Sequence, residues 1–203
     1  MTMRIGVVCL VLAGWLGAAP ADVIIDNGKS LHLQPGLPSG GGSLSVDDFV
    51  LVDGANTITD IHWWGYYLSG SSDDFSIYIF DTLDNAPLYS IDGAATVRHD
   101  TGFDLSPGPG FLPEYYYSLY IDPLALTPGQ TYWLGINNEA SASWQWTLSA
   151  TANGNAQVIE PTSQTTRWEL AFNLTGPVVP EPTSAYLLLF GIGSLYIRRS
   201  NKY

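Results

Sequence analysis

The chain has a single cysteine, Cys9, among its 203 residues. It sits inside an N-terminal apolar run, with no small residues before it of the kind a lipoprotein signal carries. Everything downstream therefore lacks cysteine and cannot form a disulfide. A domain without disulfides must rest on its core, or on bound ions. Positive charge is the second scarcity: 7 Lys and Arg face 19 Asp and Glu, a formal net charge of −12. Between residues 22 and 178 the cations are Lys29, Arg98 and Arg167 against eighteen acids, which leaves that part near −15. Such a surface repels nucleic acid and anionic lipid, so no nucleic-acid partner is expected. Helical periodicity is missing too, since no dozen residues of the middle part repeat with a period near 3.6. No G-x-S-x-G elbow is present. His32, His62 and His99 are widely spaced, with no H-x-x-x-H or H-E-x-x-H pair. A glycosidase needs two carboxylates across a cleft, and eighteen acids single out no pair. A non-catalytic protein is expected, with a secreted polysaccharide hydrolase as the alternative.

The two ends are the most legible parts. Met1-Thr2-Met3-Arg4 precedes an apolar run from Ile5 to Leu16, and Gly17-Ala18-Ala19-Pro20-Ala21 follows. One positive charge, about a dozen apolar residues and an A-x-A ending describe a secretory signal peptide. Small side chains at Ala19 and Ala21 place the cut after Ala21, so residues 1–21 are read as the signal and the Sec machinery as the export partner. At the other end, Val179-Pro180-Glu181-Pro182 leads into an apolar run of 13 residues, 185–197, closed by Arg198 and Arg199. Pro182 suits the first turn of a helix, where its missing N–H costs nothing. Counting from Pro182 and letting the arginines snorkel brings the span near the lower limit of about 17 residues for a membrane helix. The arginines would stay in the cytoplasm while the rest is exported.

Pro180, Glu181 and Pro182, a short helix and the basic pair Arg198 and Arg199 together resemble the PEP-CTERM sorting signal. The resemblance covers about 25 residues at 177–203 and implies an exosortase as partner, an integral-membrane cysteine protease of Gram-negative bacteria that make extracellular polysaccharide. It also implies a precursor held transiently in the inner membrane, then processed near the Pro-Glu-Pro box and delivered to the cell surface or beyond.

The part between, 22–176, has the size of one domain. Apolar and aromatic runs separated by turn residues predict strands near Val23–Ile25, Ser45–Leu51, Thr57–Leu68, Phe75–Phe80, Ala94–His99, Glu114–Ile121, Thr131–Asn137, Ser143–Leu148, Gln157–Ile159 and Trp168–Leu174. Glycine and proline segments such as Asp53-Gly54, Ser106-Pro-Gly-Pro-Gly110 and Pro128-Gly129 end them. Ser39-Gly-Gly-Gly-Ser43 reads as a flexible linker. Alternation puts Phe75, Ile77 and Ile79 on one face, as it does Tyr132, Leu134 and Ile136. It makes Trp168, Leu170, Phe172 and Leu174 an inward stripe against Glu169 and Asn173. The expected fold is all-β, a single antiparallel β-sandwich of jelly-roll type between two terminal helices. Val46-Asp-Asp-Phe49, Ile61-His-Trp-Trp-Gly-Tyr66, Asp74-Phe-Ser-Ile-Tyr-Ile-Phe80, Leu126-Thr-Pro-Gly-Gln-Thr-Tyr-Trp133 and Trp144-Gln-Trp146 are similar to segments of an extracellular β-sandwich family common among PEP-CTERM proteins. That resemblance implies a fold and an address, not an activity.

Two kinds of site are candidates. The acidic pairs Asp47-Asp48 and Asp73-Asp74 offer oxygen ligands of the type calcium takes, so calcium is the one cofactor considered. Against that, aspartates in such numbers commonly form turns or solvated faces. The second candidate is aromatic. Trp63 and Trp64 are neighbours on a strand and so point to opposite faces; both cannot enter one core. Trp63, Trp64, Tyr66, Trp144 and Trp146 are thus candidates for a glycan-binding platform, sugar C–H faces stacking on rings, with extracellular polysaccharide as ligand, although Trp144 and Trp146 share a face and can both be buried. The opposing expectation is that these rings pair across strands and fill the core.

Overall fold

The computed structural model describes residues 21–31, 36–105, 112–150, 154–159 and 164–177. Ala19, Pro180, Glu181, Pro182, Arg198, Arg199 and both expected terminal helices lie outside these residues.

The described part is all β, in two antiparallel sheets. The strands are β1 (Asp22–Asp26), β2 (Leu37–Pro38), β3 (Ser45–Val50), β4 (Thr57–Tyr67), β5 (Phe75–Phe80), β6 (Tyr89–Asp92), β7 (Val97–Asp104), β8 (Pro113–Ala125), β9 (Thr131–Asn138), β10 (Trp144–Trp146), β11 (Gln157–Val158), β12 (Gln164–Thr165) and β13 (Phe172–Gly176). Ten of these were expected from the sequence. β2, β6 and β12 were not.

The first sheet is organised by β4. Along one edge it pairs with β8, which carries β7. Its other edge is shared: β13 takes residues 60–63 and β10 takes 65–67. The handover is at Trp64, whose N–H donates to the Ala171 carbonyl while its own carbonyl accepts from Thr147. β1 extends the sheet beyond β13, and β2 beyond β10. The second sheet runs β12-β11-β3-β9-β5-β6.

The expected alternation holds in the second sheet. Phe75, Ile77, Ile79, Tyr132, Leu134 and Ile136 are all buried. They face the first sheet, where Phe75 inserts edge-on against Trp63, Tyr117 and Trp144 with ring centroids 4.9–5.3 Å apart. Edge-to-face contacts of this kind stabilise beyond the area they bury, by about 0.5–1.5 kcal/mol each. Gly65 makes the arrangement fit, because a Cβ there would sit 2.5 Å from the Trp144 ring.

Two sequence expectations fail here. Trp168 is 41% exposed, whereas Glu169 is 1% exposed. Pairing with β4 begins only at Phe172. Before that the chain is held by other contacts: Leu170 bridges Leu148, and Ala156 N–H donates to the Trp168 carbonyl. Residues 169–172 are buried consecutively, so the period of two does not apply to them. The segment at 39–43 is not a flexible linker either. Ser39 is fully buried, its hydroxyl donating to the Ile136 carbonyl and accepting from Ser45 N–H. A Cβ on Gly40 would overlap the Ser141 carbonyl, and Gly41 adopts φ 60°. Here glycine permits close backbone packing rather than freedom.

Candidate functional site

The aromatic candidates come first. Trp63, Trp144 and Trp146 have no exposed surface, while Tyr66 and Trp64 retain 3% and 9%. The expectation of an exposed platform at these five positions is therefore corrected, since none offers a ring face to solvent. Trp63 stacks on Tyr117 at 5.4 Å, and Trp146 donates its indole N–H to the Ala171 carbonyl at 3.0 Å. Trp64, pointing opposite to Trp63 on the strand, does leave the inter-sheet core. It packs against Tyr116 on the outer side, centroids 5.0 Å apart, and Tyr66 beside it accepts from Gly36 N–H through its hydroxyl at 2.9 Å. Pointing outward did not mean being exposed.

The acidic candidates divide. Asp73 is structural: it pairs with Arg98 at 3.0 Å and accepts the Tyr67 hydroxyl. Arg98 also lies over the Tyr115 ring at 4.7 Å, fixing the turn before β5 to β8. Asp74 is exposed and engages through its backbone, N–H to Asn138 Oδ1 and carbonyl from Glu139 N–H.

Asp47 and Asp48 are joined by Glu169, one oxygen of each lying within 4.8 Å of the others. β3 supplies the aspartates, and the stretch before β13 supplies the glutamate. Asp47 is completely buried. Its Oδ2 accepts from Leu170 N–H at 2.6 Å and from the Asn27 amide at 2.9 Å. Glu169 Oε2 accepts from the same amide at 2.8 Å, and Oε1 from Gly154 and Asn155 N–H at 2.7 and 3.0 Å. Burial, with the neighbouring Glu169 and Asp48 charges adding to it, pushes the Asp47 carboxyl up to about 9, even though Leu170 N–H opposes the shift. Asp48 is also raised by burial.

This group is a hydrogen-bonded latch. Burial pushes the Asp47 carboxyl toward its protonated form, and each Glu169 oxygen accepts from an N–H or amide donor. These bonds tie β3, Asn27 and the 154–155 turn to the approach of β13. Nothing in the sequence marked Glu169, Asn27 or Asn155. Glu169 was read as outward because alternation was extended past the true start of the strand.

Two histidines flank one tyrosine on the outer side of the first sheet. Tyr116 hydroxyl and His62 Nδ1 are 2.6 Å apart with their rings parallel, and His99 lies 6.0 Å from the same ring. Desolvation lowers the His62 pKa, partly offset by Asp60. His32 lies outside the described residues. No protein-family model matches the chain, and no curated protein is similar enough to it to count as a match.

Proposed function

We propose that the chain is an exported, non-catalytic protein of the bacterial surface or extracellular matrix. Residues 1–21 direct export, residues 177–203 serve an exosortase, and residues 22–176 form a jelly-roll-like sandwich that meets extracellular polysaccharide. The observation that carries the non-catalytic part is the use made of the acidic cluster. Asp47 and Glu169 are 0% and 1% exposed and spend their oxygens on protein N–H groups. A glycosidase would instead present two carboxylates on either side of an open cleft. Support for the address lies in the order of parts at the C-terminus, Pro180-Glu181-Pro182, apolar run and Arg198-Arg199. Replacing Pro180, Glu181 and Pro182 with alanine in the native host tests it. The altered chain should accumulate in the inner membrane, and normal processing and delivery would overturn the sorting role.

A further inference from the structure

The outer face of the second sheet carries a cavity unrelated to the latch or to the buried tryptophans. Tyr78 and Phe80 alternate with Ile77 and Ile79 and so turn away from the core. Across the ladder, Tyr78 stands opposite Gly135, Ser76 opposite Asn137 and Phe80 opposite Trp133. Gly135 itself is closed over: a Cβ added there would come within 3.2–3.3 Å of Val46, Leu44 and Phe80. Beside it, Tyr78 and Phe80 line a cavity of about 470 Å³, with the 83–87 loop on one side and Leu44 and Ile159 on another. Such a volume lies within the range of small-ligand sites.

Its chemistry is divided. One part is aromatic, Tyr78 and Phe80 having centroids 6.2 Å apart at an angle of 42°. The other is polar. Asn137, only 8% exposed, donates through Nδ2 to Glu139 Oε1 at 2.7 Å. That bond fixes the amide, because its oxygen would not face a carboxylate. Asn137 Oδ1 is then left with no donor from the protein, an unfavourable state for a buried acceptor. Glu139 is itself exposed, and Tyr78 hydroxyl approaches the same Oε1 at 3.5 Å.

We propose that this cavity binds a pyranose unit of a neutral polysaccharide. The C–H face of the ring lies on Tyr78, and its hydroxyls meet the exposed Glu139 carboxylate, which Asn137 holds in place. This deepens the polysaccharide contact of the proposed function and relocates it to residues that composition had not singled out. Each part of the cavity narrows the ligand. An anionic sugar would face Glu139 in a domain already near −15. An apolar ligand would cover the exposed Glu139 carboxylate and take away its water without replacing it. A neutral polyol has both an apolar face and several donors.

The test is affinity electrophoresis of the full chain in mild detergent, in gels containing dextran, hydroxyethyl cellulose, galactomannan or alginate. Retardation is expected in at least one of the three neutral polymers. Tyr78→Ala and Glu139→Ala should each weaken it at least about fivefold, as loss of a central contact does. Tyr120→Ala removes a tyrosine that is 78% exposed elsewhere and should leave binding unchanged. Melting curves confirm that each variant is folded. Retardation undiminished in Tyr78→Ala overturns the site while keeping a polysaccharide-binding protein. Retardation by alginate alone, or by none of the four, overturns the proposal and removes polysaccharide contact from the proposed function as well. The sorting role is read separately, from processing of the tail.

Discussion

Replacing Asp47 with asparagine should abolish a specific pH dependence of stability. In the folded chain the Asp47 carboxyl is held near 9 by burial and by Glu169 and Asp48, against an ordinary value of 3.8. In the unfolded chain it is ionised above about pH 4. Between these limits the folded state binds one more proton than the unfolded state, so stability falls as pH rises. The contribution is complete below the unfolded value and gone once pH has passed the folded one. Its slope is about 1.4 kcal/mol per pH unit, or about 2.7 kcal/mol between pH 6.5 and 8.5. Asparagine keeps an acceptor for Leu170 N–H and has no proton to lose. The assay is urea unfolding at several pH values, followed by the fluorescence of buried Trp63, Trp144 and Trp146. Groups other than its coupled neighbours Glu169 and Asp48 contribute equally to both proteins, so the difference between them reports the Asp47 cluster. Wild type minus variant should decline across this window. Parallel profiles would refute the reasoning. A wild-type stability that rises with pH and falls on adding a chelator would mean that Asp47 is ionised and holds a cation.

Other outcomes follow from the same packing. Gly65→Ala puts a methyl against the Trp144 ring and should lower stability by about 1–3 kcal/mol in urea titration. Trp144→Ala removes the ring on which Phe75 and Tyr117 close, and should cost about 3–5 kcal/mol by the same measurement. Glu169→Ala strands the Gly154 and Asn155 N–H groups; proteolysis should then cut near residues 154–155 sooner than in wild type. Because the folded-state pKa of His62 is depressed, stability should also fall as pH drops below about 6.5. That acid-side loss should shrink in His62→Gln when melting points at pH 5 and pH 6.5 are compared.

Much of the architecture could be read from residue patterns, because half-buried strands write their two faces into alternate positions. Phe75-Ser-Ile-Tyr-Ile-Phe80 shows this plainly, and so does Tyr132-Trp-Leu-Gly-Ile136. The reading broke where a residue's neighbours in space, rather than in sequence, decide its surroundings. Trp64 faces outward yet is covered. Glu169 sits where a strand was expected and is instead enclosed by Asp47, Asn27 and the 154–155 turn. Ser39-Gly-Gly-Gly-Ser43 has the composition of a linker and the packing of a core turn. The cavity was harder still. It depends on the β5–β9 register, which brings Tyr78 and Phe80 together with Asn137 and Glu139 from a distant part of the sequence.

The most direct measurement is the intact mass of the protein recovered outside the cell of its native host. The proposed export and exosortase sorting predict a chain that begins at Asp22 and lacks the apolar run 185–197 together with Arg198 and Arg199. A full-length 22.0 kDa chain, still carrying both ends, would contradict them.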